Sequence, residues 1–195
     1  LATVRNQRIG FVFQQFNLLP RTSALDNVAL PLIYAKVPEK ERHDRSKVML
    51  ERVGLGDRLR NTPAQLSGGQ QQRIGIARAL VQKPRLLLAD EPVASLDPAT
   101  AQSVLTLLHD ICKKDRLTAI VSLHQVNLAR MFADRIVGLR QGQVVFDGTA
   151  AQLTEEAQSA LYAKSSPVEP SRSSSPANMG SQFDSPSQSK EFLPC

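Results

Sequence analysis

The residues best suited to chemistry in this chain stand just behind short apolar runs. Asp90 and Glu91 follow Leu86-Leu87-Leu88-Ala89, His124 follows the run Leu117 to Leu123, and Gln14 follows Ile9-Gly10-Phe11-Val12-Phe13. Such runs read as strands buried in a parallel sheet, and open α/β sheets bind ligands beyond the carboxyl ends of their strands. A carboxylate there can hold Mg²⁺ through its water shell, while its neighbour polarises an attacking water. Each residue alone has a plainer reading. An acid pair after a strand starts a loop or caps a helix, and a lone histidine is most often a hydrogen-bonded structural group.

A fourth feature adds weight to the other three. In Leu66-Ser67-Gly68-Gly69-Gln70, Ser67 and Gln70 have capping-box spacing, so each side chain can satisfy the other's amide. Two glycines in a first helical turn are poor helix formers, but they suit a place where something must approach the backbone closely. A helix N-terminus with bare amides is an anion site fit for phosphate. The plain alternative is an ordinary capped helix. Three polar residues at three strand ends, together with a phosphate-ready helix start, make a constellation that outweighs the separate plain readings.

The elements that must position these groups are readable along the chain. Asn17 to Tyr34 reads as loop and then a short helix, broken by Pro20 and Pro31. Pro38 to Val53 reads as a charged helix with Val48, Met49 and Val53 on its apolar side and Gly54 at its end. A helix runs from Gly68 to about Gln82, with Ile74, Ala77 and Val81 on one side and Pro84 beyond. Asp97-Pro98 opens the next helix, through Val104, Leu107, Leu108 and Ile111, and Gln125 to Ala133 forms another. Ile136 to Leu139 and Val144 to Phe146 flank Gln141-Gly142 as a hairpin. Strand and helix alternate from Gly68 onward, which predicts an α/β fold with a mostly parallel sheet and flanking helices.

Composition sets bounds. The 195 residues are 42% hydrophobic and carry a net charge of +6. That fits one domain of ordinary size, and no apolar run is long enough to span a membrane. Cys112 and Cys195 form no metal or disulfide pattern. Ten serines and five prolines crowd residues 164–195, where charges cancel, so the basicity belongs to the body. The excess suits phosphate ligands or an anionic surface but is too modest to argue for nucleic acid. Residues 164–195 read as a disordered Ser/Pro-rich tail.

These residues identify a family. Leu66-Ser67-Gly68-Gly69-Gln70 resembles the signature of ABC ATPases, and Leu86 to Pro92 resembles their Walker B strand with its following acid. Ser95-Leu96-Asp97 resembles the D-loop, His124 the switch histidine and Gln14 the Q-loop glutamine. All five stand in the family's order across about residues 5–150, and the chain resembles the ATP-binding subunit of an ABC transporter. The resemblance implies a P-loop-NTPase-like core over residues 1–163, with an α-helical subdomain at about 17–80 that receives the membrane subunit. It implies that Asp90 and Gln14 attend Mg²⁺, that Glu91 is the general base, and that His124 contacts the γ-phosphate of ATP. Ser67, Gly68, Gly69 and Gln70 would bind ATP held by a second, head-to-tail subunit, and Asp97 would cross that interface. The implied partners are transmembrane permease subunits and a periplasmic binding protein, with no nucleic acid. The implied place is peripheral, on the cytoplasmic face of the bacterial inner membrane.

Two departures stand out. Val93 occupies a position where the family has threonine, and no G-x-x-x-x-G-K-[ST] loop occurs in the 195 residues. The expectation is therefore a subunit truncated at its N-terminus, inactive by itself. Ala89 to Asp97, Ser122 to Val126 and Arg135 to Gly142 resemble phosphonate-importer ATPases, whereas Leu25 to Tyr34 and Glu51 to Leu55 resemble the lipoprotein-release and macrolide-efflux group. Phosphonate import is favoured, with the efflux group as the alternative. A soluble ABC ATPase outside transport and a non-catalytic remnant are the readings from other classes.

Overall fold

In the computed structural model, which describes residues 8–162, the acid pair, the histidine and Gln14 stand at or just beyond the carboxyl ends of three parallel strands. These are β1 (Ile9–Val12), β2 (Leu86–Asp90) and β3 (Thr118–Ser122), with β2 in the centre. Register runs Val12 beside Ala89 and Asp90 beside Ser122. Between β1 and β2 come α1 (Ala24–Tyr34), α2 (Glu39–Arg52), a single tight turn at Pro63–Gln65, and α3 (Gly68–Leu80). Between β2 and β3 lies α4 (Pro98–Asp115). A short α5 (Val126–Phe132), a separate antiparallel pair of β4 (Ile136–Arg140) and β5 (Gln143–Gly148), and α6 (Glu155–Tyr162) complete the order. No helix of the described residues is long and apolar enough to cross a membrane. The Ser/Pro-rich stretch 164–195 lies outside the described residues.

The helix begun by Ser67 is the hub. α3 packs against α1, α2, β1 and α4, and Ile74, Gly75, Ile76 and Ala77 are all buried. Its partners bury Val12, Leu87 and Ala89 from one sheet face, Val104 and Leu108 from α4, and Val28 and Leu32 from α1. Two side chains brace this arrangement. Arg73 donates to the Val53 carbonyl at 3.2 Å and to Ser103 Oγ at 2.9 Å, joining the end of α2 to α4. Arg52 grips Asp115 through both carboxylate oxygens at 2.9 Å.

Several expectations need correction. The strands are not buried on both faces. Leu87 and Ala89 are enclosed, but Phe11 is 39% exposed, Phe13 42% and Ile120 60%. Among the described residues the opposite face is therefore only partly covered, with Leu86 and Leu88 half-buried and β3 exposed along most of its length. An apolar run reports hydrophobicity, not which face finds a partner. Val48 is also exposed, and it is Ser46, Met49 and Leu50 that α2 turns inward. Pro31 does not break α1, which continues to Tyr34. It sits in the last turn, where only one backbone bond is lost, and its carbonyl accepts from the Ala35 amide at 3.1 Å and the Gln82 side chain at 2.6 Å.

The hairpin forms as expected. Arg140 pairs with Gln143, leaving the two-residue loop Gln141-Gly142 with φ of 51° and 77°. Both residues in the left-handed region define the turn that matches strand twist, and glycine takes that conformation without steric cost.

Candidate nucleotide-hydrolysis site

β2 delivers Asp90 and Glu91, and β3 delivers Ser122 and then His124. The Ser122 hydroxyl donates to Asp90 Oδ1 at 2.8 Å and accepts from the Glu91 amide at 2.9 Å. Glu91 has a positive φ of 43°, uncommon for a side chain of its size. The chain thus turns sharply as it leaves the strand, and Glu91 Oε1 lies 2.5 Å from His124 Nε2. A small cavity beside this pair is lined by Glu91, Val93, Ala94, His124 and Gln125. The side chain of His124 is 82% exposed and that of Glu91 25%, so a ligand can reach the imidazole from solvent.

Gln14 is not drawn into this cluster. It is exposed and makes no side-chain hydrogen bond among the described residues. Its stretch is held instead by α3. The side-chain amide of Gln72, fully buried, donates to the Pro92 carbonyl at 2.5 Å and to the Phe13 carbonyl at 3.3 Å. Arg78 donates to the carbonyls of Asn17 at 2.6 Å and Phe16 at 3.0 Å, and burial holds its guanidinium below its ordinary pKa. Gln72 thereby ties the residue before Gln14 to the residue after Glu91. Ser122, Gln72 and Arg78 were not singled out from the sequence. Ser122 stands two residues before His124, and alternation on β3 alone gives no register against β2. Helical spacing places Gln72 and Arg78 on α3 without revealing which carbonyls they meet.

The signature segment forms the predicted cap. Ser67 Oγ accepts from the Gln70 amide at 3.3 Å, and Gln70 Oε1 accepts from the Ser67 amide at 3.0 Å. Gly68 is half-buried beside Leu96. Gly69 is buried, and a Cβ there would lie 2.4 Å from Thr100 Cγ2. Its lack of a side chain is therefore explained by helix packing within this chain, a reason the sequence reading did not contain. Asp97 is the N-cap of α4 and accepts from the Thr100 amide at 3.0 Å. Hydrogen bonding from Thr100 holds its carboxyl below the usual carboxylate range. The starts of α3 and α4 thus lie side by side. Among the described residues, no hydrogen bond or ion pair joins Ser67, Gly69, Gln70 or Asp97 directly to Asp90, Glu91 or His124.

Mg²⁺, implied by the resemblance, can be tested against these groups. No cluster of three or more His, Cys, Asp or Glu that could hold a metal occurs among the described residues. Asp90 keeps one carboxylate oxygen clear of Ser122. A single carboxylate oxygen beside a serine hydroxyl suits an ion that retains most of its water and takes further oxygens from a phosphate. The donor set fits magnesium held through water.

The ABC transporter family profile matches residues 2–94. A phosphonates import ATP-binding protein of Cupriavidus metallidurans is 55% identical over 97% of this chain and 69% of its own length. A hypophosphite import ATP-binding protein of Stutzerimonas stutzeri is 53% identical over 83% of this chain and 50% of its own. The chain thus spans from half to about two thirds of the length of these relatives. Among solved structures, an ATP-binding cassette captured as a dimer in a post-hydrolysis state with ADP and Pi is 41% identical. It covers 76% of this chain and 66% of its own, with a TM-score of 0.67. With the acid pair, the histidine and the capped signature helix all in place, this chain belongs to the ATP-binding proteins of the ABC transporter family.

Proposed function

We propose that this chain hydrolyses ATP as the cassette of an import ABC transporter for small phosphorus oxyanions of the phosphonate type. The observation that carries the reading is the cluster of Asp90, Glu91, Ser122 and His124 at the carboxyl end of a parallel sheet, with Glu91 2.5 Å from His124. The import systems named for the relatives above support the substrate class.

In the reaction, water attacks the γ-phosphorus of ATP, an oxygen–phosphorus bond forms, and the bond to the β–γ bridging oxygen breaks. Glu91 accepts the proton of the attacking water. His124 turns its imidazole to the γ-phosphate, where an N–H stabilises the developing charge. Asp90 would hold Mg²⁺ through water, and Gln14, which stands exposed outside the cluster, would offer the ion its amide oxygen. When bound, the ion neutralises charge on the phosphates. Ser67 and the amides opening α3 close over ATP held by a second subunit packed head-to-tail, with Asp97 at that interface. The helical pair α1 and α2 meets a transmembrane permease on the cytoplasmic face of the inner membrane, and a periplasmic binding protein supplies the cargo.

The 195 residues contain no G-x-x-x-x-G-K-[ST] loop, so this stretch assayed by itself is expected to release no phosphate from Mg-ATP. The test joins a phosphate-loop segment ahead of Leu1 and compares that protein with the same protein carrying His124→Ala. The expected outcome is phosphate release by the first and a rate lower by about a hundredfold or more in the second. No release from the joined protein, or equal rates in the two, overturns the reading.

A further inference from the structure

One hydroxyl joins the two acids at the end of β2. Ser122 closes β3, and the register sets it directly beside Asp90. Its Oγ donates to Asp90 Oδ1 at 2.8 Å and accepts from the Glu91 amide at 2.9 Å. A hydroxyl has one proton and two lone pairs, so both bonds form at once. They do different work. The first fixes one oxygen of Asp90, leaving Oδ2 without a hydrogen bond among the described residues. The second supports the backbone where Glu91 adopts a φ of +43°, a conformation that persists only when surrounding structure enforces it. With the backbone so held, the Glu91 carboxylate meets His124, two residues beyond Ser122 on the same chain segment.

We propose that Ser122 is a positioning residue of this site, orienting the Asp90 carboxylate and the Glu91 backbone together through its single hydroxyl. The inference rests on the proposed role of Asp90 in holding Mg²⁺. If Ser122 merely finished the sheet, removing its hydroxyl would change stability and nothing else. If it positions the acids, removal frees Asp90 to rotate and hands the Glu91 amide to water. Metal affinity then falls even though Ser122 touches no metal.

The test uses the 195-residue chain, its Ser122→Ala and Ser122→Thr variants, and Thr118→Ala as a control at the far end of β3. Amide exchange is followed by NMR, and Mn²⁺ replaces Mg²⁺ as a paramagnetic probe. In Ser122→Ala the Glu91 amide exchanges about tenfold faster, because a local bond that slowed its opening is gone. The same variant needs about tenfold more Mn²⁺ to broaden the Asp90 and Glu91 signals, the usual scale for loss of a group that orients a ligand. Ser122→Thr, which keeps the hydroxyl, restores both, and Thr118→Ala changes neither. Equal Mn²⁺ responses in wild type and Ser122→Ala overturn the proposal, as does equal exchange at Glu91. If the wild type shows no broadening at Asp90 while Glu91 exchange still follows the hydroxyl, the metal role of Asp90 falls. The positioning of its carboxylate falls with it, and only the backbone contact survives.

Discussion

Gln72 shows how a residue outside the reacting set can govern it. It is fully buried, and its amide group reaches the Phe13 carbonyl just before Gln14 and the Pro92 carbonyl just after Glu91. One side chain on α3 thus spans the ends of two strands. Gln72→Met keeps the shape and removes both donors, leaving two carbonyls short of a partner. The same change removes the buried Gln72 Oε1, which has no partner, so the expected net loss is about 1 kcal/mol, the low end of the cost of an unsatisfied buried polar group, read from urea denaturation. A change below a few tenths of that scale would mean the carbonyls find water. Glu91 carries the chemical prediction at this scale. With a phosphate-loop segment joined ahead of Leu1, Glu91→Gln lowers Mg-ATP turnover by about a hundredfold or more, the range for loss of a general base. A rate within twofold of the parent excludes Glu91 as the base. The sequence singled out Asp90, Glu91 and His124 as candidates because they follow apolar runs. It did not identify Ser122 or Gln72, whose partners are set by strand register and by α3 crossing the sheet.

At the scale of elements, the two glycines of the signature meet competing demands. The proposed function asks them to keep the amides of α3 bare for an anion, and Gly69 lets the first turn of α4 come close, with only 2.4 Å available between a Cβ and Thr100 Cγ2. Packing and ligand roles can be separated by substitution. Gly69→Ala destabilises the chain by about 1–3 kcal/mol through overpacking. Adding Thr100→Ser removes the offending methyl while keeping the hydroxyl, and restores most of that loss. The double-mutant cycle, measured in denaturant, gives a coupling of opposite sign to the single Gly69→Ala effect. Additive losses would place the strain elsewhere. Helix and strand identities along the chain followed from periodicity and caps. The continuation of α1 through Pro31 and the exposure of Val48 did not, because both depend on neighbours far away in sequence, Gln82 and the other helices.

For the described molecule, the sheet face that carries Leu87 and Ala89 is well packed in its centre, and the face that carries Phe11 and Ile120 is only partly covered. Phe11 and Phe13 stack with ring centroids 6.1 Å apart, and together with Ile120 they leave exposed apolar side chains at this end of the sheet. The 195-residue chain is expected to bind a hydrophobic dye such as ANS at neutral pH. Ile120→Lys lowers the fluorescence without lowering the denaturation midpoint, and dye binding unchanged by it would locate the apolar surface elsewhere. Charge adds a pH prediction. Asp97 is held below the usual carboxylate range by hydrogen bonds from Thr100, Asp134 by its hydrogen bond and charge pairing with Lys113, and Asp147 by Arg135. A lowered folded-state pKa gives stability that is complete above the unfolded value, near pH 4. It is lost as pH falls through the folded value. Denaturation midpoints should therefore stay level from pH 7 to about 5 and fall below about 4. Asp147→Asn should flatten part of that fall, because its pairing with Arg135 no longer titrates.

The sequence by itself determined the kinds of element, their order, and which residues sit at helix starts and strand ends. Those are local properties: side-chain period, capping chemistry and turn residues act within a few positions of the chain. It also carried enough spaced motifs to identify the family, and one relative aligned over 97% of the chain accommodates the resemblances seen in both of its halves. Tertiary structure alone decided which strand faces are covered and that Ser122 lies opposite Asp90. It also set Gly69 against Thr100, and it made Gln72 join the Gln14 and Glu91 ends of the sheet. Each of these is fixed by register and by helix crossing, and a one-residue shift in either would reassign every contact while leaving the local patterns unchanged.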